Sequence, residues 1–445
     1  MIAVRTATRY NRAIQTALTK KVAVVHTILM IAPTSFFADY GNHIRIWQEA
    51  QALQKRGHRV VLTTYHNGDD MPGLEIHRSW DVPWIKRAMV GSSRHKIYLD
   101  MALSYRALDV ALRVRPTIIH AHIHEGALIG AALRRITGLP MVFDFQGSLT
   151  SEMLDHGFLK SKRGMAYQPL WHLERWINRQ ADALITSSHN AAELLRRDFG
   201  FPEERLYTVI DGINTDRFRP SDGSAAWDSE RRYLRAVLGI PEGRKVVVYL
   251  GVLAPYQGID ALMEAAQQII QRQPDTHFLI MGYPGVDRYR ALAESLGLAD
   301  HVTLPGRILY RDAHAYLSLG DVAVAPKMSE TEGSGKIPNY MAMGLPVVTF
   351  DTPVSREYLG DLGIYARFGS VDDLADKIAQ ALADPERAGR LGALGRQKAV
   401  HDLSSDRAGP EIEAVYEAAI ANRARASRRS HKAAAGEPGR AVERH

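Results

Sequence analysis

Two rhythms of apolar and polar positions take turns along this chain. Short runs that are apolar at nearly every position recur at residues 28–31, 59–63, 117–121, 141–145 and 183–186, and they read as buried strands. Between them the spacing turns helical. Ile46, Trp47, Ala50 and Leu53 make one apolar stripe, closed by Gly57 just past its end. Residues 127–137 predict a second helix ending at Gly138. Residues 191–199 predict a third, starting after Asn190 with Glu193 at capping-box spacing. From 220 to 243 the alternation breaks into Ser, Asp, Gly and charged positions, and this stretch reads as an interdomain linker. Strands restart at 245–250 and continue at 278–281, 302–304, 322–325 and 346–350. Strands joined by helices imply parallel sheets. The predicted architecture is α/β: two Rossmann-like, doubly wound domains, residues 22–219 and 244–403, facing each other across a central cleft at their strand C-termini. Residues 404–422 predict a helix that packs back on the first domain.

Length and composition agree with two soluble-type domains: 445 residues, 46% apolar and 24% charged. The formal net charge of +7 suits an anionic membrane surface, a phosphorylated ligand or nucleic acid. There is no cysteine, which excludes disulfides, thiolate metal sites and a catalytic thiol. Residues 1–38 contain no acidic residue but carry Arg5, Arg9, Arg12, Lys20 and Lys21. The apolar run that follows resembles a signal peptide, yet His26 and Thr27 interrupt it and its second half reads as a first buried strand. Residues 1–21 are expected to be a disordered basic leader, and residues 423–445 a disordered basic tail. No stretch reaches the roughly 18–20 apolar residues of a spanning helix.

The most informative segment runs from Glu330 to Val348. Gly333-Ser334-Gly335-Lys336 follows a strand and opens a helix near Pro338. Backbone N–H groups in such a loop form an anion site, and Lys336 adds a full positive charge, so a diphosphate is the expected guest. It is not a Walker A loop: Gly333 stands too close to the Gly335-Lys336 pair, and no Ser or Thr follows Lys336.

Set in order along residues 24–420, several segments resemble the retaining glycosyltransferases of family 4, with their two-Rossmann GT-B fold. Gly41 with Gln51 to Val60 resembles that family's acceptor-side opening. Ile118-Ile119-His120-Ala121-His122 resembles its HxH strand end. Glu174-Arg175, Ala181 to Ser188 and Val209 to Pro220 resemble further segments, with Asp211 where the family usually has Asn and Asn214 where it usually has Asp. Val248 to Asp260 resembles the donor-domain opening, and Leu345-Pro346-Val347-Val348 the strand after the donor loop. The resemblance implies transfer of a sugar from a nucleotide-diphospho-sugar to a glycan or lipid-linked acceptor, with cell-envelope polysaccharide or glycolipid assembly as the setting. It also implies a cytoplasmic protein with peripheral membrane contact, and neither a metal nor another cofactor.

The departures are specific. Members often carry an Arg after the glycine matching Gly251 and a Lys before the one matching Gly258; here Val252 and Gln257 stand there. Lys336 and the Gly333, Ser334 and Gly335 loop are the expected replacements, with Arg307 or Lys327. Of the usual glutamate pair, the second becomes Asn339. The first falls on Thr331 or, with a one-residue shift, on Glu332, which is favoured, with Glu330 as the fallback. Gln146 stands where the family often has His; it orients a hydroxyl but is no base near neutral pH. The expected catalytic set is therefore Glu332, Lys336 and Gln146. Gly251, Arg307, Gly333, Ser334, Gly335 and Asn339 are expected at the donor, and Gly41, His120 and His122 on the acceptor side. His120, His122 and His124 alternate, as strand metal ligands would, but the resemblance accounts for the first two without metal. Trp80, Trp84, Ile85, Lys86, Arg87, Met89, Arg94, His95 and Lys96 mix aromatic, apolar and basic groups as a membrane-facing surface does. Two other readings stay open: a nucleotide-sugar-binding pseudoenzyme, favoured by Val252, Gln257 and Asn339, and a nucleic-acid binder, favoured only by charge.

Overall fold

The computed structural model describes residues 24–82, 96–155, 157–329 and 333–434. Its first half forms strands β1 (Thr27–Ala32), β2 (Arg59–Thr64), β3 (Glu75–Arg78), β4 (Ile118–His122), β5 (Met141–Phe145), β6 (Ala183–Thr186) and β7 (Leu206–Thr208). They pair in parallel in the order β3-β2-β1-β4-β5-β6-β7. Helices α1 (Gly41–Lys55), α2 (Lys96–Val114), α3 (Ile123–Thr137), α4 (Leu149–Asp155), α5 (Tyr167–Asn178) and α6 (His189–Arg197) connect them. The second half begins with α7 (Ala225–Val237) and builds β8 (Lys245–Leu250), β9 (Thr276–Met281), β10 (Val302–Gly306), β11 (Val322–Ala325), β12 (Val347–Phe350) and β13 (Ile364–Ala366). This parallel sheet runs β10-β9-β8-β11-β12-β13. Its helices are α8 (Ile259–Arg272), α9 (Val286–Ser295), α10 (Ala313–Leu317), α11 (Lys336–Ala342), α12 (Pro353–Leu359), α13 (Val371–Ala383) and α14 (Pro385–Asp402).

Alternate residues of β1 feed opposite layers, as strand geometry requires. Leu29 and Ile31 join the core beneath α2 and α3, while Ile28 and Met30 join the one under α1. Both sheets reverse their strand order once, between β1 and β4 and between β8 and β11. Each reversal opens a crevice beyond the strand C-termini, where ligands of doubly wound sheets bind.

Three local expectations need correcting. Residues 220–243 hold the amphipathic helix α7, capped by Ser224 through the Trp227 N–H; the charged run that reads as linker is the helix's solvent face. The last helix, α15 (Ala408–Ala434), buries Ile412, Val415, Tyr416 and Ala419 against the first domain and continues well past residue 422. Its Ala- and Arg-rich end is a good helix former, and growth from a packed helix needs no new nucleus. The leader 1–21 and the last residues of the tail lie outside the described residues. Finally, α6 is capped by Ser188, whose Oγ accepts from Ala191 N, and not by Asn190. The N–H groups of His189 and Asn190 donate instead to Glu357 of α12, across the domain boundary, at 2.6 and 3.1 Å.

Candidate active site

A cavity of about 380 Å³ lies between the two reversals. The segments that line it follow β1, β4, β5, β6 and β7 on one side and β8, β9, β10 and β11 on the other.

On the second domain's side, α11 begins at Lys336. Its Nζ donates to Gln257 Oε1 at 2.7 Å and sits 5.2 Å from the centre of the Tyr249 ring. Gly251 makes room for it, since a Cβ there would meet Lys336 Cε and Tyr249 Oη at 2.9 Å. A lysine at position 257 would press a second ammonium against the first, so glutamine suits that place. Lys327 Nζ donates to the Gly333 carbonyl at 2.8 Å, which fixes the start of the loop. Ser334 is buried, and its Oγ has no hydrogen-bond partner among the described residues. Gly333, Ser334, Gly335, Lys336 and Asn339 all line the cavity. Glu332, Glu330 and Thr331 lie outside the described residues.

Arg307 departs from its expected role and is absent from the cavity wall. Its Nε and one terminal nitrogen reach Asp39 Oδ2 at 2.8 and 2.6 Å, and that nitrogen also reaches Asp69 Oδ2 at 3.0 Å. Two carboxylates of the first domain have captured it.

On the first domain's side, Gly41 opens α1 and lines the cavity. One turn on, Arg45 is buried in a carboxylate cluster. It grips Asp144 through Nε and a terminal nitrogen at 2.7–3.1 Å, Asp211 at 2.6 Å and Glu49 at 3.0 Å. Burial would raise the Asp144 carboxyl. The Arg45 guanidinium overrides burial, His122 assists, and the group is held well below the usual carboxylate range. Asp144 Oδ2 in turn accepts from Gln146 Nε2 at 2.8 Å. That fixes the amide and leaves Gln146 Oε1 without a partner among the described residues, on a side chain that lines the cavity.

His120 and His122 do not reach the cavity. They are fully buried, with rings stacked at 4.4 Å; His120 Nδ1 faces Tyr416 Oη at 2.9 Å, and His122 Nδ1 faces Asp144 Oδ2 at 3.1 Å. Burial, then the neighbouring His122, push the His120 imidazole well down, so it is neutral. The strand ends at His122, and helix α3 begins at once with Ile123, so His124 lies in its first turn. It is His124 and Glu125 that line the cavity, and Lys96 joins Glu125 at 2.8 Å instead of facing outward with Trp80. Glu49, His120 and His122 bring one ligand-type atom each within 4.8 Å of one another, but the fixed Arg45 cation already stands 3.0 Å from Glu49.

No motif pointed to Arg45, Asp144 or Asp39, and Asp211 stood out only as a departure from one. One signal existed: Arg45 and Glu49, four residues apart, fall on the apolar face of α1, where an unpaired charge would be costly. His43, on the same helix, is buried; its Nδ1 accepts from Ala38 N at 2.9 Å, and its Nε2 contacts Thr34 Oγ1. Burial, then the Arg307 charge, push it down to about 3. A depressed folded pKa stabilises above the free imidazole value near 6.5 and is lost as pH falls toward 3. Between pH 7 and pH 5 the protein should therefore lose about 2 kcal/mol more stability than its His43→Gln variant. Urea midpoints at the two pH values measure this, and equal losses would contradict it.

Known proteins resemble the chain in both halves. Residues 41–217 match Glycosyltransferase Family 4, and residues 230–398 match Glycosyl transferases group 1. A D-inositol 3-phosphate glycosyltransferase of Gordonia bronchialis is 27% identical over 410 residues, covering 86% of this chain and 85% of that protein. An alpha-D-kanosaminyltransferase of Streptomyces kanamyceticus is 27% identical over 304 residues, covering 67% of this chain and 76% of its own. In fold, Anabaena HepE in complex with UDP and glucose superposes with a TM-score of 0.71 at 17% identity, covering 87% of this chain and 98% of that one. Two parallel sheets meeting at their switch points, each half matched by the corresponding family domain, make this chain a GT-B glycosyltransferase that belongs to family 4.

Proposed function

We propose that the protein moves a sugar from a nucleotide-diphospho-sugar, held by the second domain, to a hydroxyl of a glycan or glycolipid acceptor held by the first. One observation carries this reading. The Lys336 ammonium and the Ser334 hydroxyl, which has no partner among the described residues, line one wall of the cavity that Gln146 Oε1 lines from the other domain. A diphosphate needs the first wall, and a hydroxyl needs an acceptor like the second.

In the proposed reaction the acceptor oxygen attacks the anomeric carbon on the face from which the diphosphate departs. The C–O bond to phosphate breaks, and a phosphate oxygen takes the hydroxyl proton. The configuration is retained. Lys336 offsets the charge that develops on the leaving group, which is worth most in a water-poor cleft. Gln146 orients the attacking hydroxyl, and Glu332 is assigned by sequence to the transferred sugar. No metal or cofactor is called for, because the cationic side chain and the loop amides do that work.

Among the described residues no helix is long and apolar enough to cross a membrane. Exposed Trp80, Ile97, Tyr98, Met101 and Tyr105, with Phe158 and Met165 beside Lys160, Lys162 and Arg163, support docking of the first domain on anionic lipid at the cytoplasmic face. Cell-envelope glycan or glycolipid assembly is the setting this favours.

A thermal-shift and hydrolysis screen of UDP-, GDP-, ADP- and TDP-sugars tests the proposal. One nucleotide at a hundred times its Kd should stabilise the protein by about 2.7 kcal/mol, a rise of a few degrees in Tm, and free sugar should be released slowly. No shift and no release with any of the four would overturn the donor assignment.

A further inference from the structure

The segment before α1 carries a carboxylate whose partners all lie on the other domain. Asp39 holds a left-handed backbone, φ 53°, a region that is uncommon for residues with a Cβ and that Asp and Asn enter more readily than most. Its side chain is 7% exposed. Oδ2 takes the Arg307 fork at 2.6 and 2.8 Å, and Oδ1 accepts from the Tyr310 N–H at 2.8 Å. Both carboxylate oxygens are therefore spent on the stretch between β10 and α10.

Tyr310 carries the contact inward. It is buried, and its hydroxyl accepts from Gln48 of α1 at 3.1 Å and faces Asn339 Oδ1 at 3.4 Å. A single path thus runs from Asp39 through Tyr310 to Asn339, a residue of the cavity wall on α11. Beside it the Tyr40 and Tyr283 rings stack at 5.2 Å, again one from each domain. The ion pair sits at the rim, with Arg307 36% exposed, so it can break and re-form as the domains part and meet.

We infer that Asp39 is a positioning residue for the transfer step: by gripping Arg307 and the Tyr310 amide it closes the donor domain onto the acceptor domain. The kinetic part of the inference rests on the donor site proposed above. The donor binds its own domain, whereas the grip exists only when the domains meet. Loss of the grip therefore lowers kcat and leaves donor KM nearly unchanged.

The variants are Asp39→Asn, Asp39→Ala, Arg307→Ala and the Asp39→Asn/Arg307→Ala pair. Asn tolerates the left-handed backbone and still accepts from Tyr310 N, so Asp39→Asn isolates the ion pair. We expect kcat to fall about fivefold in Asp39→Asn and in Arg307→Ala, with donor KM within twofold, and no further fall in the pair. Asp39→Ala also loses the Tyr310 contact and should fall further. Its radius of gyration by small-angle scattering should exceed that of the wild type, a comparison that needs no substrate. Should Asp39→Ala fail to fold, Arg307→Ala removes the same bond from its exposed side, together with the Asp69 contact. Full kcat in both single variants, additive losses in the pair, or an unchanged radius of gyration in Asp39→Ala and Arg307→Ala would overturn the inference. Absence of any nucleotide-sugar binding by the wild type would instead sink the donor assignment and leave the scattering test standing.

Discussion

Replacing Arg45 by methionine is expected to cost about 3–5 kcal/mol of folding stability, the usual penalty for removing one partner of a buried ion pair. Methionine fills much of the space but leaves Asp144, Glu49 and Asp211 facing one another without their shared cation. The pH dependence gives the change its signature. In the wild type the Asp144 carboxyl is held well below its usual range, so its contribution is present above the free value near 3.9 and is lost as pH falls through the folded pKa. Arg45→Met gives up that contribution at neutral pH, so its deficit should be largest near pH 7 and shrink below pH 4. Urea unfolding at pH 7 and pH 3 reads both effects. A deficit under about 1 kcal/mol at pH 7 would mean that the cluster relaxes or takes up protons far more easily than its burial implies. Because Asp144 also fixes Gln146, transfer should fall in the same variant even at temperatures where it stays folded.

Lys336→Ala should lower kcat/KM for the donor tenfold or more, about 1.4 kcal/mol of transition-state stabilisation at the least. Here the charge does the work, so Lys336→Met, which keeps the length, should be as poor. The reverse substitution adds a control. In the Lys336→Ala background the space beside position 257 is empty, and Gln257→Lys should restore part of the activity by supplying an ammonium from the neighbouring loop. In the wild-type background the same change should be harmful, because Lys336 Nζ already donates to Gln257 Oε1. Unchanged kinetics in Lys336→Ala would remove the cation from the mechanism.

How legible the site was depends on how local its determinants are. The Gly-Ser-Gly-Lys loop stands out because a glycine-rich turn between a strand and a helix needs only neighbouring residues, and Lys336, Ser334 and Asn339 do line the cavity. Gly41 and Gln146 line it too, but it was the family resemblance, not local geometry, that pointed to them. Arg307 was not. As a cation on a strand-to-helix loop it reads as a phosphate ligand, and only the approach of Asp39 and Asp69, 268 and 238 residues away in sequence, shows where its charge goes. His120 and His122 fail in another way. A strand end is recognisable, but which of its side chains point into a cleft depends on where the strand stops, and this one stops at His122.

The sequence by itself determined the two parallel sheets, because fully apolar runs of strand length alternate with helical stripes and local glycines end the helices. Gly138, at φ 76° beyond α3, is one such stop. The tertiary structure alone decided what the charges do. Arg45 meets Asp144 and Asp211 across 99 and 166 residues, and the α6 amides find Glu357 across 168 and 167. Periodicity is a property of neighbours along the chain, so it is written there. Ion pairs and caps act through space, and their partners exist only once the sheets have formed and the two domains have met.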